Sequence, residues 1–439
     1  MGKWEFNKAD LSSVWSDPKQ GDHFNNDDIG LCEALVREVI QNSTDAGNGS
    51  GPVKVRFNTT NLQGQDAVKM RALLQPLEPN LSACHVDISP LQGKADIPVL
   101  SIEDFNTCGL TGSFTERDGD NFSSFWRDLS ISKKSGNKGG RWGLGKLVFS
   151  SSSLIKTFFG LTKRSGDEHC ALMGQSVLNH HDVGDDSYEP HGFWFADRHD
   201  NRLQLPVTND ECIDEFSAIT KIARTSQSGL SILIPFYNQE RINYENILDS
   251  VIKNYYFPIL AGKLVVEVGT LTVNSGNFLE IVADDCLTNI PFKFIPFKFI
   301  KKISDALDRE PDFTAVKEIG KYELSEGHFA EGIIESMKEK FSGGGLFKTR
   351  IPVLLKRKSK GDVRSFIDLY IQDLPEGKQS FALFSRGAII LPGERGQFRT
   401  SAAYGALVAS DSEMEEFLGD SENPAHTRWN ARSEKLAKN

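Results

Sequence analysis

Glu38-Val-Ile-Gln-Asn42-Ser-Thr-Asp45-Ala46 overlaps an apolar-periodic stretch, residues 29–43, in which Leu31, Leu35, Val36, Val39 and Ile40 fall on one side of a 3.6-residue repeat. The spacing predicts a helix that stops in Asn48-Gly49-Ser50-Gly51-Pro52. Glu38, Asn42 and Asp45 stand at i, i+4 and i+7, so their side chains share a second, polar face. A solvated stripe on an amphipathic helix has the same pattern. The chemistry open to such a face is nonetheless definite. An asparagine oxygen can ligate Mg²⁺, and a glutamate one turn earlier can take a proton from a water aimed at a phosphate.

Working outward, residues 53–57 alternate like a strand and residues 97–102 read as a second, more buried one. The second runs into Glu103-Asp104 and then Phe-Asn-Thr-Cys-Gly109-Leu-Thr-Gly112. A carboxylate at the mouth of an apolar strand can accept the exocyclic amine of adenine, and nearby glycines let a base approach the backbone. An acidic strand end followed by a glycine turn is as common without any ligand. A third constellation is Gly139-Gly140-Arg141-Trp142-Gly143-Leu144-Gly145-Lys146. Gly140 to Lys146 fits the GxxxxGK of a P-loop but fails it twice: Leu147 stands where Ser or Thr should hold Mg²⁺, and residues 132–138 form no buried strand. A glycine lid whose amides and lysine wrap a triphosphate suits the same residues, as does a plain surface loop.

In order and spacing the three constellations resemble the GHKL ATPase superfamily, the Bergerat-fold group that contains gyrase B, MutL, the heat-shock-90 chaperones, MORC proteins and histidine kinases. Glu38 to Ala46 looks like its ExxxNxxDA helix, and Asp104 with Gly109 and Gly112 its adenine-binding DxGxG segment. Gly140, Gly143, Leu144, Gly145 and Lys146 look like its lid, and Gly229-Leu230-Ser231-Ile232 its last GT-type segment. Asn106 and Cys108 stand where DxGxG has glycine, and Leu230 stands where GT has threonine, with Ser231 as a substitute. The resemblance covers residues 25–240. It implies ATP as ligand, Mg²⁺ held through Asn42, Glu38 as general base, and Asp45, Asp104, Gly109, Gly112, the lid and Ser231 at the nucleotide.

The whole chain of 439 residues allows two or three domains. An apolar share of 39% with 25% charged residues sets aside wholesale disorder, and a net charge of −10 argues against a bulk nucleic-acid coat, though a local DNA groove stays compatible with it. No apolar run reaches membrane-spanning length, and the six scattered cysteines without a CxxC pair read as reduced thiols, which points to the cytoplasm.

The predicted class is α+β: a Bergerat α/β sandwich followed by a ribosomal-S5-like transducer. The expected divisions are an N-terminal arm (1–26), an ATP-binding domain (27–240), a transducer (245–400) and a helical tail (401–439). Only about 25 residues precede the ATP domain, which disfavours a histidine kinase with its preceding phosphoacceptor hairpin. In the gyrase, MutL and chaperone branch the transducer supplies a basic residue to the γ-phosphate, and Arg386 is the candidate. That branch closes ATP-dependent homodimers and hands its output to a protein partner. The expected function is therefore an ATP-hydrolysing dimeric switch, with a bacterial DNA-directed or antiphage defence role as one use that no residue specifies. The alternatives are an ATP sensor with little hydrolysis and a chaperone-like ATPase acting on protein clients.

Overall fold

The computed structural model describes the chain apart from residues 1, 11, 13–14, 16, 19–29, 118, 128–146, 168, 201, 223, 225, 285–293, 320–323, 358–360, 388, 395–401, 424–427, 434–435 and 437–439. It is α+β, as expected, and forms two compact units. The first comprises the described residues of Met1–Lys134 and Trp142–Val251 together with Leu264–Val273; the second comprises Ile252–Lys263 and Asn274–Asn439.

The first unit is built on one large sheet. Its strands are β1 (Lys3–Lys8), β2 (Val53–Leu62), β3 (Ile97–Phe105), β4 (Thr157–Lys163), β5 (Ala171–Val177), β6 (His181–Val183), β7 (Asp186–Phe195), β10 (Gly229–Pro235), β11 (Leu264–Val268) and β12 (Leu271–Val273), while β8 (Asp197–His199) and β9 (Leu203–Leu205) form a separate ribbon. The order is β1-β7-β5-β4-β10-β3-β2-β11-β12, with β6 on β7, and only the β2–β11 pair is parallel. β3 lies between β10 and β2 and is buried along almost its whole length, which accounts for its near-continuous apolar run.

Residues in register across these ladders share a face. Phe57, Ile102 and Ile232 lie on one side with helix α1 (Leu31–Asp45), whose Leu35, Val36, Val39 and Ile40 are buried. Each such side chain contributes roughly 1.5–3 kcal/mol of burial. On the other face Val99, Phe159, Leu161 and Leu233 pack with helices α2 (Gly64–Leu74), α3 (Glu78–Ala83) and α4 (Asp210–Thr220). The sheet runs past the boundary expected near residue 245, since β11 and β12 extend it beyond helix α5 (Tyr244–Leu260).

The second unit carries the sheet β13 (Phe313–Thr314), β14 (Phe347–Arg357), β15 (Gly361–Asp373), β16 (Phe381–Arg386), β17 (Ile389–Ile390) and β18 (Ala403–Ala409), in the order β13-β14-β15-β18-β16-β17. Helices α6 (Phe297–Asp305), α7 (Ile333–Ser342) and α8 (Ser412–Ser421) accompany it.

One local expectation is corrected. Lys3–Lys8, within the segment expected to be an N-terminal arm, is strand β1 of this chain's own sheet, where Trp4 Nε1 donates to the Leu73 carbonyl at 2.9 Å and Phe6 is buried. Of two tandem Ile-Pro-Phe-Lys-Phe copies, the second (Ile295–Phe299) starts α6, because Pro296 precedes the first turn and Phe297, Phe299, Ile300 and Ile303 form a buried stripe. At the start of β6, His180 bonds Asp17, and the buried His181 bonds Asn80 at 2.9 Å. Arg357, at the end of β14, is buried and pairs with Glu416 at 2.7 Å and Glu413 at 3.3 Å.

Candidate nucleotide site

The polar face of α1 survives in three dimensions. Asn42 Nδ2 donates to Glu38 Oε1 at 2.8 Å, and Glu38, Asn42 and Asp45 are all half-buried. That bond fixes the amide with its nitrogen toward Glu38, which leaves the Oδ1 oxygen as the atom suited to a hard cation. The C-terminal end of α1 is stitched to the loop after β3: the Asn48 amide donates to the Asn106 carbonyl at 3.0 Å, and the Cys108 amide to the Ala46 carbonyl at 2.9 Å. Helix face and strand mouth are thereby held in one place.

At that mouth sits Asp104, 9% exposed. Its Oδ1 accepts from the Thr107 hydroxyl and from the Leu230 main-chain amide, both at 2.7 Å, while Oδ2 accepts from Ser43 Oγ at 3.2 Å. A carboxylate offers about four lone-pair directions. Three are thus used, and the one remaining on Oδ2 can take an exocyclic amine. Burial pushes the Asp104 carboxyl above the usual carboxylate range, against the Arg224 charge and the three hydrogen bonds that favour the ionised form.

Backbone conformation explains why particular residues stand here. Gly229 has φ +146°, and a Cβ on it would lie 2.5 Å from Asp104 O, Asp104 Oδ1 and Arg224 Nη1, so only glycine lets β10 close on Asp104. Asn106 stands at φ +61°, and its Nδ2 donates to the Pro52 carbonyl at 2.7 Å. Asparagine tolerates this left-handed region better than other residues bearing a Cβ, so it serves where the resemblance led us to expect glycine.

Of the residues singled out in the sequence, Glu38, Asn42 and Asp45 lie along one face of α1, and Asp104 is tied to the same helix through Ser43. Gly109 (φ +71°) and Gly112 lie in the loop that follows, where a Cβ at Gly109 would meet the Lys163 carbonyl at 2.5 Å. Gly140, Gly143, Leu144, Gly145 and Lys146 lie outside the described residues. Ser231 is placed elsewhere: it is in register with Glu103, so it shares that residue's face, and its Oγ accepts from Arg224 Nε at 2.8 Å and donates to Glu103 at 3.1 Å. Arg386 belongs to the second unit, where it is 2% exposed and forms a forked ion pair with the fully buried Glu422.

Sequence reading missed Ser43, Thr107 and Arg224. The first two carried a signal, lying within three residues of Asn42 and Asp104. Arg224 carried none. No described helix is long and apolar enough to cross a membrane.

No protein-family model and no curated protein matches the chain. Among solved structures it is similar to the ATPase region of Saccharomyces cerevisiae topoisomerase II, at 7% identity, covering 92% of this chain and 78% of that one, with a TM-score of 0.38. It is also similar to the ATPase and transducer domains of DNA topoisomerase II from Balamuthia mandrillaris (8% identity, 93% and 78% covered, TM-score 0.38). A third is the Aquifex aeolicus MutL ATPase domain complexed with ADP (9% identity, 89% and 98% covered, TM-score 0.27).

Proposed function

We propose that this chain is a GHKL-type ATPase: it binds ATP with Mg²⁺ in the first unit, hydrolyses it, and uses the cycle to open and close a homodimer that signals to a protein partner. The observation that carries the reading is a buried carboxylate, Asp104, with one lone-pair direction left and bonded to the same helix that carries Glu38 and Asn42. Ser43, next to Asn42 in the chain, hydrogen-bonds Asp104 at 3.2 Å. In this reading the two chemistries, proton abstraction and amine recognition, serve the two ends of one nucleotide.

In this reading Asp104 accepts the adenine amine and Asn42 Oδ1 holds the cation, which supplies charge neutralisation at the phosphates when bound. Glu38 orients a water and takes its proton. The Asn42 amide, already bonded to Glu38, holds that carboxylate in place on the helix face. The lid segment, residues 139–146, contributes amides and Lys146 to the phosphates. Arg386 as the γ-phosphate partner finds less support, because Glu422 already neutralises it in a buried pair. The second reading, an ATP sensor with little turnover, draws on Leu230 and on Ser231, whose hydroxyl joins the Glu103–Arg224 network.

Two measurements test the proposal. Titration of the chain with ATP and Mg²⁺, followed by a phosphate-release assay, should show binding and turnover. Binding without turnover selects the sensor, and the absence of binding removes both readings. Size-exclusion chromatography with a non-hydrolysable ATP analogue should convert monomer to dimer, and a chain whose elution is unchanged by the analogue is not a nucleotide-gated clamp.

A further inference from the structure

Arg224 lies on the opposite side of β3 and β10 from α1, 4% exposed, and no part of the sequence reading used it. Its guanidinium donates to four acceptors: Ser231 Oγ at 2.8 Å, the Asp104 carbonyl at 2.6 Å, the Leu230 carbonyl at 3.0 Å and the Gln227 carbonyl at 3.2 Å. The Phe105 ring lies 5.1 Å from it, and its own carbonyl accepts from the Cys170 thiol at 3.4 Å. Two of those acceptors belong to the residues that meet at the base-recognition point, since Leu230 gives its amide to the Asp104 carboxylate at 2.7 Å. One planar group thus clamps the ends of two strands to each other. Five donors in a rigid fork suit that task, whereas a lysine has three donors around a single point.

We propose that Arg224 is a positioning residue for base recognition: by tying the Asp104 and Leu230 main chains together, and by placing a positive charge beside Asp104, it keeps that carboxylate ionised, correctly aimed and selective for adenine. The inference rests on the ATP reading above and extends it to specificity. An ionised Asp104 offers only acceptors, which match the exocyclic amine of adenine; a protonated one offers a donor, which matches the O6 of guanine. Burial works toward the protonated form and the Arg224 charge works against it. The other charged and titratable groups on that face include Glu103 and Arg56, 3.7 Å apart, and the Cys170 thiol, with Lys54, Glu267, Lys163 and Lys221 beyond them; from the other face α1 contributes the uncharged Ser43.

The test is equilibrium titration of the full chain with ATP and with GTP, each with Mg²⁺, from pH 5 to pH 8. If the wild-type protein binds neither nucleotide, the ATP reading fails, and this inference with it. Given wild-type binding, Arg224→Met should weaken ATP about tenfold, the scale of one lost charge-assisted hydrogen bond. It should also narrow the preference for ATP over GTP and shift the acid loss of binding to higher pH, because removing the positive charge raises the Asp104 pKa further. Arg224→Lys should restore the acid limb, which depends on charge, and leave affinity reduced, which depends on the fork. A folded Arg224→Met protein with wild-type affinity, preference and pH profile overturns the proposal. If that variant does not fold, Ser231→Ala decides: it removes one acceptor and no charge, so affinity should fall several-fold with the acid limb unmoved, and unchanged affinity overturns the proposal.

Discussion

Asn42 donates its side-chain amide to the Glu38 carboxylate across one turn of α1, at 2.8 Å. The bond holds the proposed general base by the residue proposed to hold the cation. Replacing Glu38 with alanine should leave ATP binding near the wild-type level and slow phosphate release by about 10²–10⁴. Asn42→Ala should lose both, since it removes the cation's ligand and frees Glu38. The two measurements are nucleotide titration and phosphate release. Wild-type turnover by Glu38→Ala would remove Glu38 from the chemistry.

Gly229 allows no side chain. Its φ of +146° and the 2.5 Å approach to Asp104 and Arg224 mean that Gly229→Ala must displace one of the two strand ends. A loss of about 1–3 kcal/mol in urea unfolding is expected, together with weaker ATP binding. Gly30→Ala is the matched control, with φ −70° and nothing within 4 Å of the added carbon. Equal behaviour of the two variants would contradict this account of the strand junction.

Asn106 is the residue that lets this chain depart from a glycine pattern. Its left-handed backbone should accept Asn106→Gly with little change, because glycine has no conformational penalty there and only the bond to Pro52 is lost. Asn106→Val should cost about 1–2 kcal/mol by thermal or chemical unfolding, as expected for a β-branched side chain in that region. A valine variant as stable as wild type would show that the loop relaxes to another conformation.

The Arg386–Glu422 pair separates a structural role from a catalytic one. Both side chains are buried, so truncating either removes the other's forked charge partner and should cost about 3–5 kcal/mol in chemical unfolding. The double substitution Arg386→Met with Glu422→Leu should recover much of that loss. If Arg386 instead serves the γ-phosphate, Arg386→Met combined with Glu422→Leu would be folded yet deficient in phosphate release.

Much of the first unit was legible because its signals are local. The α1 periodicity, the glycine stop after it and the apolar run of β3 each lie within a dozen residues, and they were read close to their observed bounds. Strand β1 was not legible. Lys-Trp-Glu-Phe-Asn-Lys alternates over only two apolar residues, Trp4 and Phe6, and what makes it a strand is β7, with Lys3 paired to Phe195. Likewise Arg357 reads as one of a basic run until α8 supplies Glu413 and Glu416.

By itself the sequence determined the helix with its acid–amide face, the buried strand ending in a carboxylate, and the α+β class, since each follows from periodicity and residue chemistry along the chain. Only the tertiary structure decided what surrounds Asp104. The pairing of Ser231 with Glu103 turns that hydroxyl to the face away from α1, because side chains alternate along a strand and a shift of one residue exchanges the faces. The same fold brings Arg224 to the Asp104 carbonyl across 120 residues of sequence. No local pattern encodes a hydrogen bond of that span; it exists because β10 pairs with β3, and a buried guanidinium must find its acceptors where two strands end.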